Sequence, residues 1–390
     1  ERERERDHLR RTHRFDVHRP RRGRPAAAAT NIPVLATTTK TMLHQACSLL
    51  LLHHWMQISA IMNKLKRLYQ FHKRYYVVTV PTTIAGLLFY WYNRNKPNLD
   101  IRIYNMLPLR ATSSLWGKLN SYDLPIWMRS KLYDYFCKTY NCDMSEALES
   151  DYRNYRNLGE FFGRKLRPDL RPICQTPGVV SPADGLILHN GPITDGRIEN
   201  VKGLNYSLNS FLGFKNESNH EQELLVNPEK NELYNCIIYL APGDYHRFHS
   251  PAEWTVEYRK HFPGRLLSVK PSLLKRVPEI LHINERVCYF GKWRHGFFSM
   301  TAVGATNVGS IKVYFDEDLQ TNKRLLWRPD RYGCSEKSFE KPVKFSAGQD
   351  FGEFNFGSTI VLIYEAPKNS KSDLPRDQKI KFGQLLAEIA

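Results

Sequence analysis

Residues 75–92, YYVVTVPTTIAGLLFYWY, run for 18 positions without a charge, and nothing else in the chain constrains its folding as strongly. As a helix this stretch spans about 27 Å at about 1.5 Å per residue. That is just enough for a hydrocarbon core of about 30 Å. Tyr75 and Tyr76 stand at one end, Tyr90, Trp91 and Tyr92 at the other, with Arg74 and Arg94 beyond them. Aromatic ends flanked by cations are the pattern of an interface-anchored span. Pro81, Thr82 and Thr83 weaken it, and a buried core helix is the competing reading. The expectation is a single transmembrane helix over 75–92. A mean hydropathy of −0.50 excludes a polytopic membrane protein.

Upstream, residues 1–41 open with ERERERDHLRRTHRFDVHRPRRGRP and show no apolar periodicity, so disorder is expected. The first methionine is Met42, and the leading tract reads as a fragment or an upstream extension. Its arginines suggest a mitochondrial transit segment, but its glutamates break the acid-poor rule for such segments. Residues 42–74 fit that rule better. An apolar patch from Ala46 to Ile61, broken by His53, His54 and Gln57, precedes Lys64, Lys66, Arg67, His72, Lys73 and Arg74. A solvated basic linker is the alternative. Residues 1–74 are thus expected to be a disordered, basic, targeting-like region.

Across the whole chain, 57 Lys and Arg stand against 39 Asp and Glu, a formal charge of +18. Such an excess favours an anionic partner, acidic lipid or nucleic acid. There is no zinc-finger spacing and no aromatic RNA-binding signature, though composition leaves both partners open. The seven cysteines (Cys47, Cys137, Cys142, Cys174, Cys236, Cys288 and Cys334) are odd in number, irregularly spaced and contain no CxxC. Scattered thiols are expected, without a disulfide framework or zinc site.

The soluble body, 93–390, changes texture part-way. Residues 93–178 read as a helical lead-in. Asp123 can cap a helix bearing Leu132, Tyr133, Phe136, Cys137 and Tyr140, and Leu158, Phe161, Phe162 and Leu166 repeat at helical spacing. From Val179 to the end, short apolar runs such as CIIYL (236–240) and TIVLIYE (359–365) alternate with Gly and Pro turns, which predicts a β-rich domain. Asn216–Glu223 and Lys368–Asp377 read as loops. The fold class is α+β.

Three clusters in the β-rich part could carry chemistry. Ser181-Pro182-Ala183-Asp184-Gly185 is, taken alone, a tight turn. APGDYHRFHSP (241–251) holds two histidines. In a continued strand His246 and His249 point to opposite faces, whereas a helical turn brings them together. A metal needs a third ligand, and no HExxH or HxH is present, so no metal is expected. FNFGST (354–359) places Gly357-Ser358 at the mouth of an apolar run. Glycine lets its carbonyl turn toward the Ser358 hydroxyl, whose attack would convert the amide to an ester, given a base and oxyanion donors. A β-bulge is the plainer reading.

Together with HFPGRLLSV (261–269), NERV (284–287) and VGATNVGSI (303–311), these motifs resemble the phosphatidylserine decarboxylase family over about residues 155–366. The combination is specific where each motif singly is not, and the upstream span resembles the eukaryotic mitochondrial form. The resemblance implies a proenzyme that cuts itself between Gly357 and Ser358, with Asp184, His249 and Ser358 as a serine-protease-like triad. Residue 358 then becomes a covalent pyruvoyl group, the cofactor and the site of Schiff-base formation with the substrate amine. The products are a β chain ending at Gly357 and an α chain of the 33 residues 358–390, which stay associated. The implied reaction converts phosphatidylserine to phosphatidylethanolamine and CO₂. His246 is the candidate for assisting decarboxylation or protonation. The implied setting is the mitochondrial inner membrane, with the catalytic domain facing the intermembrane space and no nucleic-acid partner. Phe356 departs from the Leu or Gly common before Gly-Ser-Thr in the family, which puts the rate of processing in question.

Two alternatives differ in kind. A serine hydrolase acting on lipid esters could use the same three residues, although no GxSxG elbow surrounds Ser358. A non-enzymatic basic membrane scaffold explains the charge and the span but leaves all three clusters idle.

Overall fold

The computed structural model describes residues 59–60, 62–63, 109–199, 205–214, 220–274, 277, 279–306, 310–322, 333–355, 357–371 and 374–389. The expected span at 75–92, most of the basic region before it, and Phe356 lie outside the described residues. Among those described, no helix is long and apolar enough to cross a membrane. The chain divides into two units, Glu1–Phe89 and Tyr90–Ala390. In the first, Ser59, Ala60, Met62 and Asn63 are helical and exposed. The second holds the rest of the described structure.

The helical lead-in comprises α1 (Leu109–Asn120), α2 (Ile126–Tyr140) and the short α3 (Leu158–Phe162). Tyr133 and Cys137 of α2 are buried in a small aromatic core with Tyr155, Phe161 and Phe162. Tyr133 stacks on Phe161 at 4.6 Å, a contact type contributing about 0.5–1.5 kcal/mol beyond area burial. Two expectations need correction. Asp123 does not cap α2: the cap position is Pro125, without a side-chain bond, and Asp123 accepts from Asn157 Nδ2 at 3.3 Å. Proline disfavours helical geometry in the residue before it, so α2 cannot extend back to Asp123. Leu166 is not on the helix with Leu158, because α3 stops at Phe162 and Leu166 forms a bridge with Ala147.

From Gly178 onward strands dominate, as expected. They are β1 (Gly178–Val180), β2 (Gly185–Pro192), β3 (Arg197–Glu199), β4 (Asn205–Ser207), β5 (Asn231–Leu240), β6 (Arg247–His249), β7 (Trp254–Phe262), β8 (Arg286–Trp293), β9 (Gly296–Gly304), β10 (Ile311–Val313), β11 (Ser335–Phe345), β12 (Asp350–Phe354), β13 (Ser358–Pro367), β14 (Lys379–Ile380) and β15 (Leu385–Glu388). Short helices interrupt them: α4 (Leu208–Leu212), α5 (His220–Leu224), α6 (Pro271–Leu274) and α7 (Ile280–Ile283). Residues 220–223, expected to be loop, thus lie in α5.

Eight strands form one antiparallel sheet in the order β11-β7-β8-β9-β13-β5-β2-β14, and β10-β12-β6 form a second. Strand β13 lies between β5 and β9, with both of its faces covered. Ile360, Leu362 and Tyr364 pack with Phe248, Ile311, Phe351 and Phe354 of the small sheet. Val361 and Ile363 pack with Phe211, Leu212, Leu274 and Ile280 of the short helices. A strand buried on both faces has no polar side to alternate with, which is why its sequence reads as a continuous apolar run.

Candidate active site

Ser358 is the first residue of β13, opposite Leu240 of β5 and Gly304 of β9. Side chains alternate along a strand, so Ser358 shares the face of Ile360, Leu362 and Tyr364, toward the small sheet. It is fully buried, and Oγ has no hydrogen-bond partner among the described residues. An unmet buried hydroxyl costs about 1–3 kcal/mol. A Cβ built on Gly357 meets nothing within 4 Å. The glycine is therefore not demanded by crowding; it leaves the Gly357-Ser358 peptide without a side chain beside it.

Leu240, opposite Ser358, leads into the turn that carries the histidines. Asp244 closes it: its N–H donates to the Ala241 carbonyl at 2.9 Å, and its carboxylate accepts from Ala241 N at 2.7 Å. The lead-in braces this turn. A Cβ on Gly243 would lie 2.0 Å from the Tyr140 carbonyl at the end of α2, and Arg164 Nη2 donates to the Gly243 carbonyl at 3.1 Å. His246 is fully buried, edge-on to Phe162. Its Nδ1 is 2.8 Å from the Asp244 carbonyl. A carbonyl only accepts, so Nδ1 carries the hydrogen and Nε2 is a bare lone pair without a partner among the described residues. Burial pushes the imidazole down to about 4, so it is neutral at pH 7.

His249 ends β6. Its Nδ1 faces two acceptors, Asp350 Oδ1 at 3.1 Å and the Gly348 carbonyl at 3.2 Å, and its Nε2 receives the Tyr245 hydroxyl at 3.1 Å. The hydrogen bond with His249 holds the Asp350 carboxyl below the usual carboxylate range. The ring lies flat on Phe382 at 3.7 Å. Two matching Ser-Pro-Ala turns fix the backbone here. Ser181 Oγ donates to the Ala183 carbonyl and Ser250 Oγ to the Ala252 carbonyl, each at 2.7 Å. The turns then cross-link: His249 N–H donates to the Pro182 carbonyl and Val180 N–H to the Pro251 carbonyl, each at 2.8 Å.

Asp184 follows the first of these turns and is buried. Its carboxylate accepts from Phe382 N–H at 2.7 Å and from Arg171 Nη2 at 2.8 Å, with Lys381 Nζ at 3.4 Å. Asp184 thus reaches His249 through Phe382, whose backbone it binds and whose ring lies under the imidazole. The carboxylate directly on His249 is Asp350. His246 lies just before β6 and His249 at its end, and the two imidazoles meet different neighbours.

The remaining sequence motifs build the wall beside Ser358. Asn284 Nδ2 donates to the carbonyls of Leu267 at 2.7 Å and Gly304 at 2.9 Å, and its Oδ1 accepts from Leu267 N at 2.9 Å. HFPGRLLSV, NERV and VGATNVGSI therefore converge on Gly304, the residue opposite Ser358.

A sequence model of the family described as phosphatidylserine decarboxylase matches residues 158–388. The chain belongs to the phosphatidylserine decarboxylase family. It is 46% identical over 333 residues to the phosphatidylserine decarboxylase proenzyme, mitochondrial, of Pongo abelii, covering 80% of this chain and 76% of that one. It is 36% identical over 366 residues to proenzyme 1, mitochondrial, of Saccharomyces cerevisiae, covering 73% of each. With proenzyme 1, mitochondrial, of Arabidopsis thaliana it shares 34% over 337 residues and 74% of each.

In this member of the phosphatidylserine decarboxylase family, sequence reasoning singled out neither Asp350 nor Tyr245, Phe382 and Arg171. Tyr245 stands inside APGDYHRFHSP and could have been read as a partner four residues from His249. Asp350 follows the Ser346–Gln349 turn, whose only sequence signal is Gly348. Arg171 and Phe382 gave no local signal, because tertiary packing alone brings them to Asp184.

Proposed function

We propose that this chain is a self-processing phosphatidylserine decarboxylase in which Ser358 both cuts the chain and becomes a covalent pyruvoyl group. The observation that carries the reading is Ser358 Oγ: buried, unpartnered, at the first position of the central strand and beside an unobstructed glycine. An orphaned hydroxyl at a strand mouth fits a group that is to be consumed.

In the cleavage step Oγ adds to the Gly357 carbonyl, and a C–O bond replaces the C–N bond. The hydroxyl proton goes to His249 Nε2 once Tyr245 vacates that lone pair, and the imidazolium then gives it to the departing Ser358 nitrogen. Asp350 and the Gly348 carbonyl hold Nδ1–H, so the basic nitrogen stays Nε2. Asp184 completes the Asp184–His249–Ser358 set by fixing Phe382 under the ring. Elimination then removes the Cα proton of residue 358, breaks Cβ–Oγ and frees the Gly357 carboxylate; the enamine left behind tautomerises to an imine, and water hydrolyses it, releasing ammonia and leaving the ketone at residue 358. That pyruvoyl ketone supplies an acceptor for the substrate amine and for the electron pair left when CO₂ departs. To His246, neutral and with Nε2 unpartnered among the described residues, we assign the taking and returning of a proton at the substrate.

The substrate class is an aminophospholipid in a bilayer. Ile126, Trp127 and Tyr135 stand exposed on α2, and the chain carries +18 overall, both in keeping with an acidic lipid surface. The relatives are named mitochondrial, and we place this chain at the mitochondrial inner membrane, single-pass through 75–92, with the catalytic domain toward the intermembrane space.

Intact mass of purified active protein tests the reading: two fragments are expected, the smaller one covering 358–390 with a pyruvoyl N-terminus. Ser358→Ala and His249→Ala should each remain one uncut, inactive chain. Active protein that is a single chain with an unmodified Ser358 would overturn the proposal.

A further inference from the structure

Cys137 and Cys142 are five residues apart, a spacing that carries no motif, yet the end of α2 folds them together. Asn141 adopts a left-handed conformation (φ 54°, ψ 46°) after the last turn. The N–H groups of Asn141 and Cys142 both reach the Cys137 carbonyl, the latter at 3.1 Å. This closure turns the chain back on the helix, so that the side chain two residues past the end of the helix meets one in its last turn. Here both are thiols. Cys137 is buried in the aromatic cluster of the lead-in, and Cys142 packs on the same cluster, half-buried. Both are free thiols.

We propose that Cys137 and Cys142 form a redox-active dithiol, a site of reversible disulfide formation at the end of α2. The attacking group is Cys137. The hydrogen bond from the Cys142 thiol, aided by the Tyr152 hydroxyl and the Arg164 guanidinium, draws its pKa down against the opposing effect of burial, while that of Cys142 is raised. A thiol whose thiolate form is favoured, beside a resolving thiol, is what thiol oxidation requires. The oxidant class is a hydroperoxide. Cys137 thiolate displaces hydroxide from hydrogen peroxide and becomes a sulfenic acid. Cys142 sulfur then attacks it, the S–S bond forms and water leaves. Two thiols and one peroxide give one disulfide and two waters, and two equivalents of a small thiol reverse the change. Cys236 and Cys288, by contrast, are fully buried within the large sheet, where burial pushes their pKa values up.

The site adjoins the machinery without belonging to it. Tyr140, between the two cysteines, presents its carbonyl to Gly243 in the histidine-bearing turn.

The test is peroxide oxidation of the full-length chain at pH 7, then alkylation of remaining thiols in denaturant and digestion with trypsin. Cleavage after Lys131, Lys138 and Arg153 puts the two cysteines in separate peptides, 132–138 and 139–153. The expected product is that pair joined by a reductant-sensitive bond, formed at least about tenfold faster in the folded chain than in denaturant. Separately alkylated peptides, linkage to Cys174 or Cys334 instead, or equal rates in the folded and denatured chain would overturn the proposal. In Cys142→Ser the linked pair should vanish and Cys137 should be trapped by dimedone. A chain lacking that adduct would refute Cys137 as the attacking thiol.

Discussion

His246 and His249 stand three residues apart and present the same tautomer, each with Nδ1–H toward an acceptor. Their surroundings differ. His246 is sealed, and its ordinary pKa of about 6.5 falls to about 4. Between those values the unfolded chain takes up a proton that the folded chain refuses. Stability is therefore full above about pH 6.5 and declines as pH falls toward about 4. His189 is lowered to about 4 as well, by burial and then by Arg376, and adds to the same slope. His246→Asn should flatten, without abolishing, the loss of stability between pH 6.5 and 4 in urea titrations. It should still cut itself, while decarboxylation drops by about 10²–10⁴; an uncut His246→Asn chain would assign the proton transfer of cleavage to His246 instead. His249 meets Asp350, whose side chain is 53% exposed, so water screens that pair and its contribution is orientation more than energy. Asp350→Asn should slow cleavage by about threefold to tenfold in a timed gel assay. An unchanged rate would leave the Gly348 carbonyl as sufficient by itself to set the tautomer.

At the scale of elements, the strands were legible and their partners were not. TIVLIYE and CIIYL read as buried strands because apolar residues fall on both faces of Ile360–Ile363 and of Ile237–Ile238, and they pair with each other as β13 and β5. The lead-in showed its helices through the spacing of Tyr133, Phe136 and Cys137. Its cap was misread, since Pro125 rather than a side-chain oxygen decides where α2 begins. Of the candidate site, the sequence displayed the groups carried at or beside turns next to strand ends (Asp184, His246, His249 and Ser358). It concealed the groups delivered by distant loops. Asp350 is such a case, held in place by the turn between β11 and β12. Gly348 there has φ +79°, and a Cβ would sit 2.5 Å from the Ile173 side chain, while its N–H donates to the Ser250 carbonyl at 2.8 Å. Gly348→Ala should destabilise the protein by about 2–4 kcal/mol, from left-handed strain and overpacking. Because its carbonyl faces His249 Nδ1, cleavage at a temperature where the variant remains folded should also slow. A variant with wild-type melting and processing would show that the turn tolerates a side chain and does not set the imidazole.

On the scale of the whole molecule, the proposed cut poses a mechanical question: what holds a 33-residue fragment once its covalent link is gone? The fragment contributes β13, β14 and β15, which pair with β5 and β9, with β2, and with β1 respectively. Its main strand sits in the middle of the large sheet, hydrogen-bonded on both edges. Ile360, Val361, Leu362 and Ile363 are fully buried, worth about 6–12 kcal/mol together at about 1.5–3 kcal/mol each. Releasing the fragment would expose that surface and strip the edges of β5 and β9 at once, so dissociation and unfolding are one event. Cut protein should therefore elute as one species in native buffer, and in urea both fragments should be released in a single transition coincident with loss of tertiary structure. If the small fragment washed away from folded material, or left at a lower urea concentration than that transition, β13 would not be the strand that holds the processed enzyme together.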